Sequence, residues 1–431
     1  MNEEFVTQYA QAKQALRSGN YSEALSLFEK LWDTAKTPQV AWGYGQSLRK
    51  AGRLVEAEAF LREALEQFSD NEWLKKELFW TLYDKEIKPA REQGDLPRLL
   101  RSADQMIGLV EDAWAISRLA LAIIKVAKQK GKWSVVLSWA NRIDPSVLSS
   151  APKSMGKQRG MAEKEIWHLN RSRALYELGK YQEAREAALA GLNDYPQSFF
   201  LARIAALALA YSPPQERHAH EALQELENLL EHPRADWYLK ADLAQVAMLA
   251  GDLQKAQRFI GQALLETKQN PKYMLKGFKT VVELALSIGD PIVAFYHLEL
   301  IKQVRKREGW KVSGKLQPLE REVIKALTMQ DTEKPTLPEN FQALLRICRN
   351  TWRTWAFIGE RRFTGTIKRL KDKFGFIARD DAQEDVFVLI RDLPKRARRE
   401  GARVEFSIVK SFDKKKNRES TRAVRIVLLQ E

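Results

Sequence analysis

The sequence predicts a mainly α-helical protein that ends in a small all-β barrel. A short glycine-centred signature recurs between Gly19 and Gly289, as expected of a helical repeat array. Around these signatures, apolar residues recur at i, i+3, i+4 and i+7, which is the spacing of one helix face. After Gly359 the spacing changes to alternation, which indicates strands. A chain of 431 residues is long enough for about two or three domains.

Composition and charge are those of a folded protein with a basic C-terminal region. Hydrophobic residues make up 45% and charged residues 29%, which excludes a disordered chain. The net charge is +15, and residues 361–431 contain 20 Lys/Arg against 11 Asp/Glu, a net +9. Dense positive charge attracts polyanions, so this region favours nucleic acid over the alternatives, solubility or an acidic membrane surface.

Several function classes find no support in the sequence. The start, Met1 to Lys13, carries acids where a signal peptide has basic residues, and no apolar stretch has the length of a membrane span, so we expect a cytoplasmic protein. Cys348 is the single cysteine, and its favoured role is a buried apolar residue. The five histidines have no metal-ligand spacing with it. Because no catalytic motif occurs, we predict no enzyme activity, no cofactor and no metal.

The recurring signature places a glycine at the turn between paired helices, where a positive φ is allowed. The best copies begin at Gly19 and Gly179, and weaker ones begin at Gly52, Gly131, Gly251 and Gly289. Gly19 and Gly52 are 33 residues apart, close to a period of about 34 residues. The longer gaps, from Gly52 to Gly131 and from Gly179 to Gly251, could each contain a further repeat.

Residues 1–330 resemble the tetratricopeptide-repeat family, most clearly over two segments, Trp42 to Phe68 and Trp167 to Pro196. The residues at the family's packing positions are Trp42, Gly45, Leu48, Gly52, Ala57, Phe60 and Ala64, and then Trp167, Leu175, Gly179, Tyr181, Ala184, Ala188 and Pro196. These residues are expected to build the repeat core. The resemblance implies stacked helix pairs whose concave face binds a protein or peptide partner.

Two interruptions of the helical pattern organise the chain. A basic, glycine-containing stretch at residues 149–160 is predicted to be a loop, without the spacing of a nucleotide-binding P-loop. A linker is predicted at residues 331–340, which include two prolines. After it, residues 341–357 have the pattern of an amphipathic helix that docks the barrel to the arm, with a membrane-surface helix as the alternative. We therefore expect domains at residues 1–330, 331–358 and 359–431.

The C-terminal region contains about five short strands, which indicates a small OB-type Greek-key barrel. The alternating segments are 363–370, 374–378, 385–390, 403–410 and 420–427, with a polar turn at 413–417.

This region resembles a cold-shock domain. Three segments carry the resemblance: Gly365-Thr366-Ile367-Lys368, Phe374-Gly375-Phe376-Ile377 and Asp385-Val386-Phe387-Val388, the last two at the family's RNA-binding motifs. The resemblance implies that Phe374, Phe376 and Phe387 stack on bases. Candidate phosphate-binding residues around them are Lys368, Arg369, Lys371 and Lys373, and the run Lys414, Lys415 and Lys416 is a further candidate.

The region also departs from the family. Arg369 and Leu370 replace an aromatic pair, the following turn is shorter, and Leu389 replaces a histidine, so the stacking surface is reduced. In these respects it resembles the variant domains of eukaryotic multi-domain RNA-binding proteins. The alternative role of the phenylalanines is barrel core, which is common for aromatic residues in strands. Alternation places Phe374 and Phe376 on one face and Ile377 on the other, where it can supply the core, and the resemblance to the family then favours stacking.

These patterns predict a non-enzymatic adaptor in RNA metabolism or translation regulation. The barrel is expected to bind single-stranded RNA while the arm holds a protein partner. One alternative is a single-stranded DNA-binding accessory factor in repair, mobile-element or defence function, because stacking and phosphate contacts do not distinguish the sugars. A second alternative is a pure protein-interaction scaffold.

Overall fold

The computed structural model describes residues 3–152, 154–155, 158–267, 270–310, 314–381, 384–413 and 418–429. By their contacts they form two compact units, which meet in sequence between Pro213 and Pro214. The predicted fold class, a helical repeat array followed by an OB-type β-barrel, is confirmed. The predicted domain boundaries at residues 330 and 358 stay a prediction.

The first unit is an array of helix pairs. Its helices are α1 (Glu3–Arg17), α2 (Tyr21–Thr34), α3 (Pro38–Lys50), α4 (Leu54–Gln67), α5 (Glu72–Leu82), α6 (Lys88–Gln93), α7 (Leu96–Met106), α8 (Ala113–Gln129), α9 (Trp133–Ala140), α10 (Glu163–Glu177), α11 (Tyr181–Asp194) and α12 (Phe199–Ala210). A π-helical turn, Tyr83–Ile87, joins α5 to α6. In the predicted loop, β1 (Ser154–Met155) pairs antiparallel with β2 (Gln158–Arg159).

Glycines form the turns between paired helices. The φ angle is +81° at Gly52 and +77° at Gly179, in the region where other residues are strained. The gap between Gly52 and Gly131 contains a further turn at Gly94, with φ +68°. This turn was not predicted, although Asp95 follows it and accepts a hydrogen bond from the backbone N–H of Arg98, 3.1 Å away, which caps the next helix.

The second unit contains more helices and the barrel. Its helices are α13 (Gln215–Glu227), α14 (Trp237–Leu249), α15 (Leu253–Glu266), α16 (Leu275–Ser287), α17 (Pro291–Arg307), α18 (Gln317–Met329) and α19 (Phe341–Ala356). Residues 330–340, all of them described, form no helix or strand. Among the helices of the described ranges, none has both the length and the apolar character of a membrane span.

Helix α19 is the predicted amphipathic helix, and it packs against α15 and α17. Gly261 of α15 permits close contact, because a Cβ there would lie 2.4 Å from the backbone nitrogen of Ala356. The backbones of α15 and α19 therefore touch. Cys348 of α19 is fully buried in this packing, as predicted, and burial raises the pKa of its thiol to about 12.

A buried tryptophan–histidine pair fixes α19 to the other helices. Trp352 is 2% exposed and stacks on Phe278, with 5.6 Å between ring centroids. Its indole N–H donates to Nε2 of His297 at 2.8 Å, while Nδ1 of His297 lies 2.8 Å from the Val293 carbonyl oxygen. Since an indole N–H can only donate, Nε2 is the unprotonated acceptor and Nδ1–H is the donor. Burial lowers the pKa of His297 to about 4, which keeps the ring neutral.

The five predicted strands of the barrel are confirmed. They are β3 (Phe363–Leu370), β4 (Phe374–Arg379), β5 (Val386–Leu389), β6 (Arg403–Asp413) and β7 (Arg418–Leu428), and they close in the order β3-β4-β5-β7-β6. Two 3₁₀ turns, Ile390–Asp392 and Lys395–Ala397, follow β5. The core includes Ile367, Ile377, Val388, Val404 and Phe406, all fully buried.

A polar cluster fixes the connection between α19 and the barrel. Glu360 accepts hydrogen bonds from the Ser407 hydroxyl at 2.9 Å and from Arg425. Partial burial raises the pKa of Glu360, but the hydrogen bonds from Arg425 and Ser407 more than offset this and hold it below its usual value. Arg362 donates to the Ser407 oxygen and to the Arg425 carbonyl oxygen, each at 3.0 Å. The barrel therefore begins at a hydrogen-bonded junction.

Candidate nucleic-acid interface

Three phenylalanine rings form a cluster on the outside of β4 and β5, here called the phenylalanine platform. The rings of Phe374 and Phe387 are nearly parallel, with centroids 5.6 Å apart and an interplanar angle of 27°. Phe376 lies edge-on to both, at 5.9 Å from Phe374 and 6.0 Å from Phe387. All three rings are half-buried, so part of each ring surface is accessible for stacking.

Strand alternation explains why the rings lie outside the core. In β4, Gly375 and Ile377 are buried while the phenylalanines on either side of Gly375 are not. In β5, Val386 and Val388 are buried in the same way, and Phe387 faces outward between them. Phe376 and Phe387 are direct partners in the antiparallel register. The three predicted stacking residues are thus brought together on one surface.

Gly375 allows the strands beneath the platform to approach closely. A Cβ at this position would lie 2.6 Å from the carbonyl oxygen of Arg369 and 2.7 Å from a methyl carbon of Leu370. A larger residue would force β3 away from β4. The glycine between the two phenylalanines therefore has a packing role.

Four of the predicted basic residues lie on β3 or between β3 and β4, beside the strand that carries two of the platform rings. Nζ of Lys371 lies 5.5 Å from the centroid of the Phe374 ring, and Arg369 and Lys373 are exposed. Lys368 is also exposed and pairs with Asp385, with 3.1 Å between Nζ and Oδ2. Exposed ion pairs contribute about 0–1 kcal/mol, so a phosphate can compete for this lysine. The candidates Lys414, Lys415 and Lys416 lie outside the described residues.

Arg422 is a further candidate that was not predicted. It lies directly opposite Phe387 where β5 and β7 pair in parallel. Its neighbour Ala423 is fully buried, so alternation directs Arg422 to the platform face. Within the described part of the chain, its buried Nε has no hydrogen-bond partner. Arginine can stack on a base and bind a phosphate, and alternation in the predicted strand 420–427 is the signal that could have identified it.

The platform and the basic residues near it can bind a ligand by aromatic stacking and by charge. Among the described residues, no group of three or more His, Cys, Asp or Glu side chains is arranged to hold a metal ion.

Two family models match parts of the chain. Residues 363–425 match the "'Cold-shock' DNA-binding domain" model, and residues 9–72 match a tetratricopeptide-repeat model. No curated protein sequence matches the chain.

Solved structures with similarity to the chain have low TM-scores. A tetratricopeptide repeat protein from Parabacteroides merdae is 13% identical, with 65% of this chain and 99% of that chain covered and a TM-score of 0.30. The C-terminal part of a repeat-containing protein from Cytophaga hutchinsonii is 13% identical, with 64% and 95% covered and a TM-score of 0.31. A human IFIT1 dimer with PPP-AAAA is 16% identical, with 80% and 79% covered and a TM-score of 0.34.

Similarity at this level carries no argument about partners. The architecture and the two family matches are sufficient for one conclusion: the chain joins tetratricopeptide repeats in its N-terminal region to a cold-shock domain in its C-terminal region.

Proposed function

We propose that this chain is a cytoplasmic, non-enzymatic adaptor that binds single-stranded RNA through its barrel and a protein through its helical arm. The phenylalanine platform is the observation that carries the proposal. The two families whose models match this chain are families of binding modules and not of enzymes. Joining the two modules in one chain holds the RNA and the protein at high effective concentration. Regulation of RNA or translation is the corresponding process.

The platform suits unpaired bases better than a duplex. Its three rings lie within about 6 Å of one another, so adjacent bases of one strand can each find a ring surface. Base–aromatic stacking contributes about 1–3 kcal/mol per base and is available to any base, whereas bases in a duplex are already stacked. Lys371 and Lys373 beside the rings supply charge for the backbone.

A tryptophan-lined cavity in the first unit supports the protein-binding role. It has a volume of about 810 Å³, and its aromatic lining residues are Trp42, Trp73, Trp80, Tyr83 and Trp114. Trp73 is 67% exposed and Trp114 is 45% exposed. Tryptophan is enriched among the residues that dominate protein interfaces, and clustered apolar exposure is typical of an interaction site.

Charged residues stabilise the wall of this cavity. Arg49 of α3 contacts Glu77 of α5 at 2.5 Å and Asp84 at 3.1 Å. Glu77 is 3% exposed, and burial raises the pKa of its carboxyl, which the Arg49 charge opposes. The ion pairs link consecutive repeats, so the tryptophans are presented by a fixed surface.

Binding of matched oligonucleotides tests the RNA-binding role. The full chain should bind a single-stranded RNA in fluorescence anisotropy, and bind the corresponding duplex much more weakly. A Phe374→Ala, Phe376→Ala, Phe387→Ala triple variant should lose most of this affinity while keeping its circular dichroism spectrum. Tighter binding of DNA of the same sequence would favour the DNA-binding alternative. A folded wild-type chain that binds neither nucleic acid would leave the scaffold alternative and contradict the proposal.

A second experiment tests the arm. Proteins crosslinked to the chain in its native cell should be lost from a Trp73→Ser, Trp114→Ser variant that binds RNA as the wild type does. Retention of the same proteins by the variant would show that they dock elsewhere.

A further inference from the structure

A large basic groove lies in the second unit, and the three phenylalanines of the platform are not among its lining residues. It has a volume of about 1660 Å³. Helices α15 and α19 line one part of it, and the two 3₁₀ turns after β5 and the end of β7 line another. Pockets for small ligands usually measure about 300–1,000 Å³, so this groove has the size for a segment of a polymer.

The lining of the groove is strongly cationic. It contains ten Lys and Arg side chains and three Glu side chains. Glu266 is paired with Lys240, and Glu360 is paired with Arg425. Arg391 also lies 3.8 Å from Oδ1 of Asp392. Among the described lining residues, seven cations therefore remain with one carboxylate, Glu231. Such an excess is complementary to a polyanion.

Unpaired arginines of α19 form one side of the groove. Arg346, Arg349 and Arg353 follow the i, i+3, i+7 spacing, so they lie on one face of the helix. Arg346 and Arg349 are exposed. Lys395 and Arg396, in the second 3₁₀ turn, are also exposed and line the same groove. Within the described ranges, none of these five cations has an acidic side chain within ion-pair distance.

The arginine face is held in place before any ligand binds. The Trp352–His297 hydrogen bond and the close contact at Gly261 fix α19 to α17 and α15. Because the backbone of α19 is already ordered, binding loses no backbone entropy there, and only the arginine side chains must be immobilised. A lysine-rich loop would lose more conformational entropy for the same number of phosphate contacts.

The groove begins close to the platform. Arg391, which lines the groove, follows Phe387 by four positions, a distance of about 14 Å at full extension. On the neighbouring strand, Arg422 lies opposite Phe387, and Arg425 lines the groove three residues later. A strand whose bases stack on the platform can therefore reach the groove without leaving the surface.

We propose that the groove binds the phosphate backbone of the same nucleic-acid strand whose bases stack on the platform. The inference rests on the proposed function, and it extends the site from the barrel onto α19. An acidic peptide has similar charge, but continuity with the platform favours nucleic acid.

Charge neutralisation in the full chain tests the groove. We would make the double variant Arg346→Gln, Arg349→Gln and measure its affinity for single-stranded RNA of about 4 and about 16 nucleotides across a salt series. The matched control is Arg321→Gln, Lys325→Gln, which removes two exposed charges from α18, outside the groove. Loss of two phosphate contacts lowers the salt slope by about 1.4. When salt is raised from 50 to 200 mM, the affinity for the long strand falls in both proteins. The factor by which it falls should be about seven times smaller for the variant than for the wild type.

The outcomes separate the groove from the platform. Support for the groove is a loss confined to the long strand and to the α19 variant. If the long strand binds the α19 variant and the wild type with equal affinity and slope, while Phe376→Ala weakens binding, the groove inference fails and the platform stands. If the wild type binds no strand at all, the proposed function fails as well. Binding of a polyglutamate peptide that depends on Arg346 and Arg349, with unchanged binding of the long strand, would assign the groove to acidic peptides and overturn the inference.

Discussion

Phenylalanines in the same barrel differ in burial and therefore in the expected effect of their truncation. Phe406 of β6 is fully buried and packs in the core, whereas Phe376 of β4 is half-exposed on the platform. Truncating the first leaves a cavity, while truncating the second removes surface that a base would cover. A single measurement of stability or affinity would not separate the two roles, but the pair of measurements does.

We expect Phe376→Ala to lower RNA affinity by about 1–3 kcal/mol with little change in stability, because it removes one stacking surface. Phe406→Ala should lower the free energy of unfolding of the barrel by about 3–5 kcal/mol, because it leaves a core cavity. Oligonucleotide anisotropy and denaturant unfolding of both variants check this. Equal destabilisation by the two substitutions would place Phe376 in the core.

His297 makes part of the stability of the second unit depend on pH. Its pKa is about 4 in the folded protein, against about 6.5 for an unperturbed histidine. Between these values the unfolded chain binds a proton that the folded chain does not, so stability increases with pH. The contribution is fully present above about pH 6.5 and is lost as pH falls toward 4, on the order of 3 kcal/mol in all.

The free energy of unfolding of the wild type should therefore fall more steeply from pH 6.5 to pH 4 than that of His297→Gln, whose amide does not titrate. Denaturant unfolding at several pH values measures the two slopes. Carboxyl groups titrate in both proteins, so only the difference reports His297. Parallel pH profiles would show that His297 is not buried as a neutral acceptor.

At the scale of elements, the position of α19 depends on a glycine in another helix. A Cβ at Gly261 would lie 2.4 Å from Ala356 nitrogen and 2.6 Å from the Trp352 carbonyl oxygen. Backbone atoms cannot rotate away from such a contact. We expect Gly261→Ala to destabilise the second unit by about 1–3 kcal/mol or more, measured by denaturant unfolding.

Gly314→Ala is the matched control, since a Cβ there meets no atom within 4 Å and its φ is not positive. If Gly261→Ala is as stable as this control, the two backbones do not touch as described.

The same helix shows what the sequence could predict. Apolar spacing was sufficient to place α19, because that signal is local. Its partners were not predictable, since Trp352 and His297 are 55 positions apart and nothing in the repeat signature links them. The platform phenylalanines were predictable because alternation places Phe374 and Phe376 on one face, and because the cold-shock resemblance assigns these two residues and Phe387 to stacking. The groove was not, because α19 and the turns after β5 meet only in the folded unit.

At the scale of the whole molecule, the predicted linker and the packing of α19 have different consequences for proteolysis. Residues 330–340 form no regular structure and should be cut first by a protease. The C-terminal fragment then keeps α19, which remains packed on α15 and α17.

We therefore expect cleavage to give two bands in denaturing electrophoresis but one peak in native size-exclusion chromatography, because the fragments stay associated. Adding denaturant should separate them. Elution of the basic fragment by itself under native conditions would support a barrel that acts independently of the helices.

The burial of Cys348 has a practical consequence for kinetics. Thiol reagents attack the thiolate, and this thiol is fully buried with a pKa of about 12. It should therefore react only when α19 transiently opens. Its modification rate, divided by the rate in denaturant, gives the equilibrium constant of that local opening, and the logarithm of this constant gives the free energy. Since the sequence has one cysteine, the signal has a single source. A long single strand bound across α19 should slow this modification, whereas a short strand on the platform should leave its half-life unchanged.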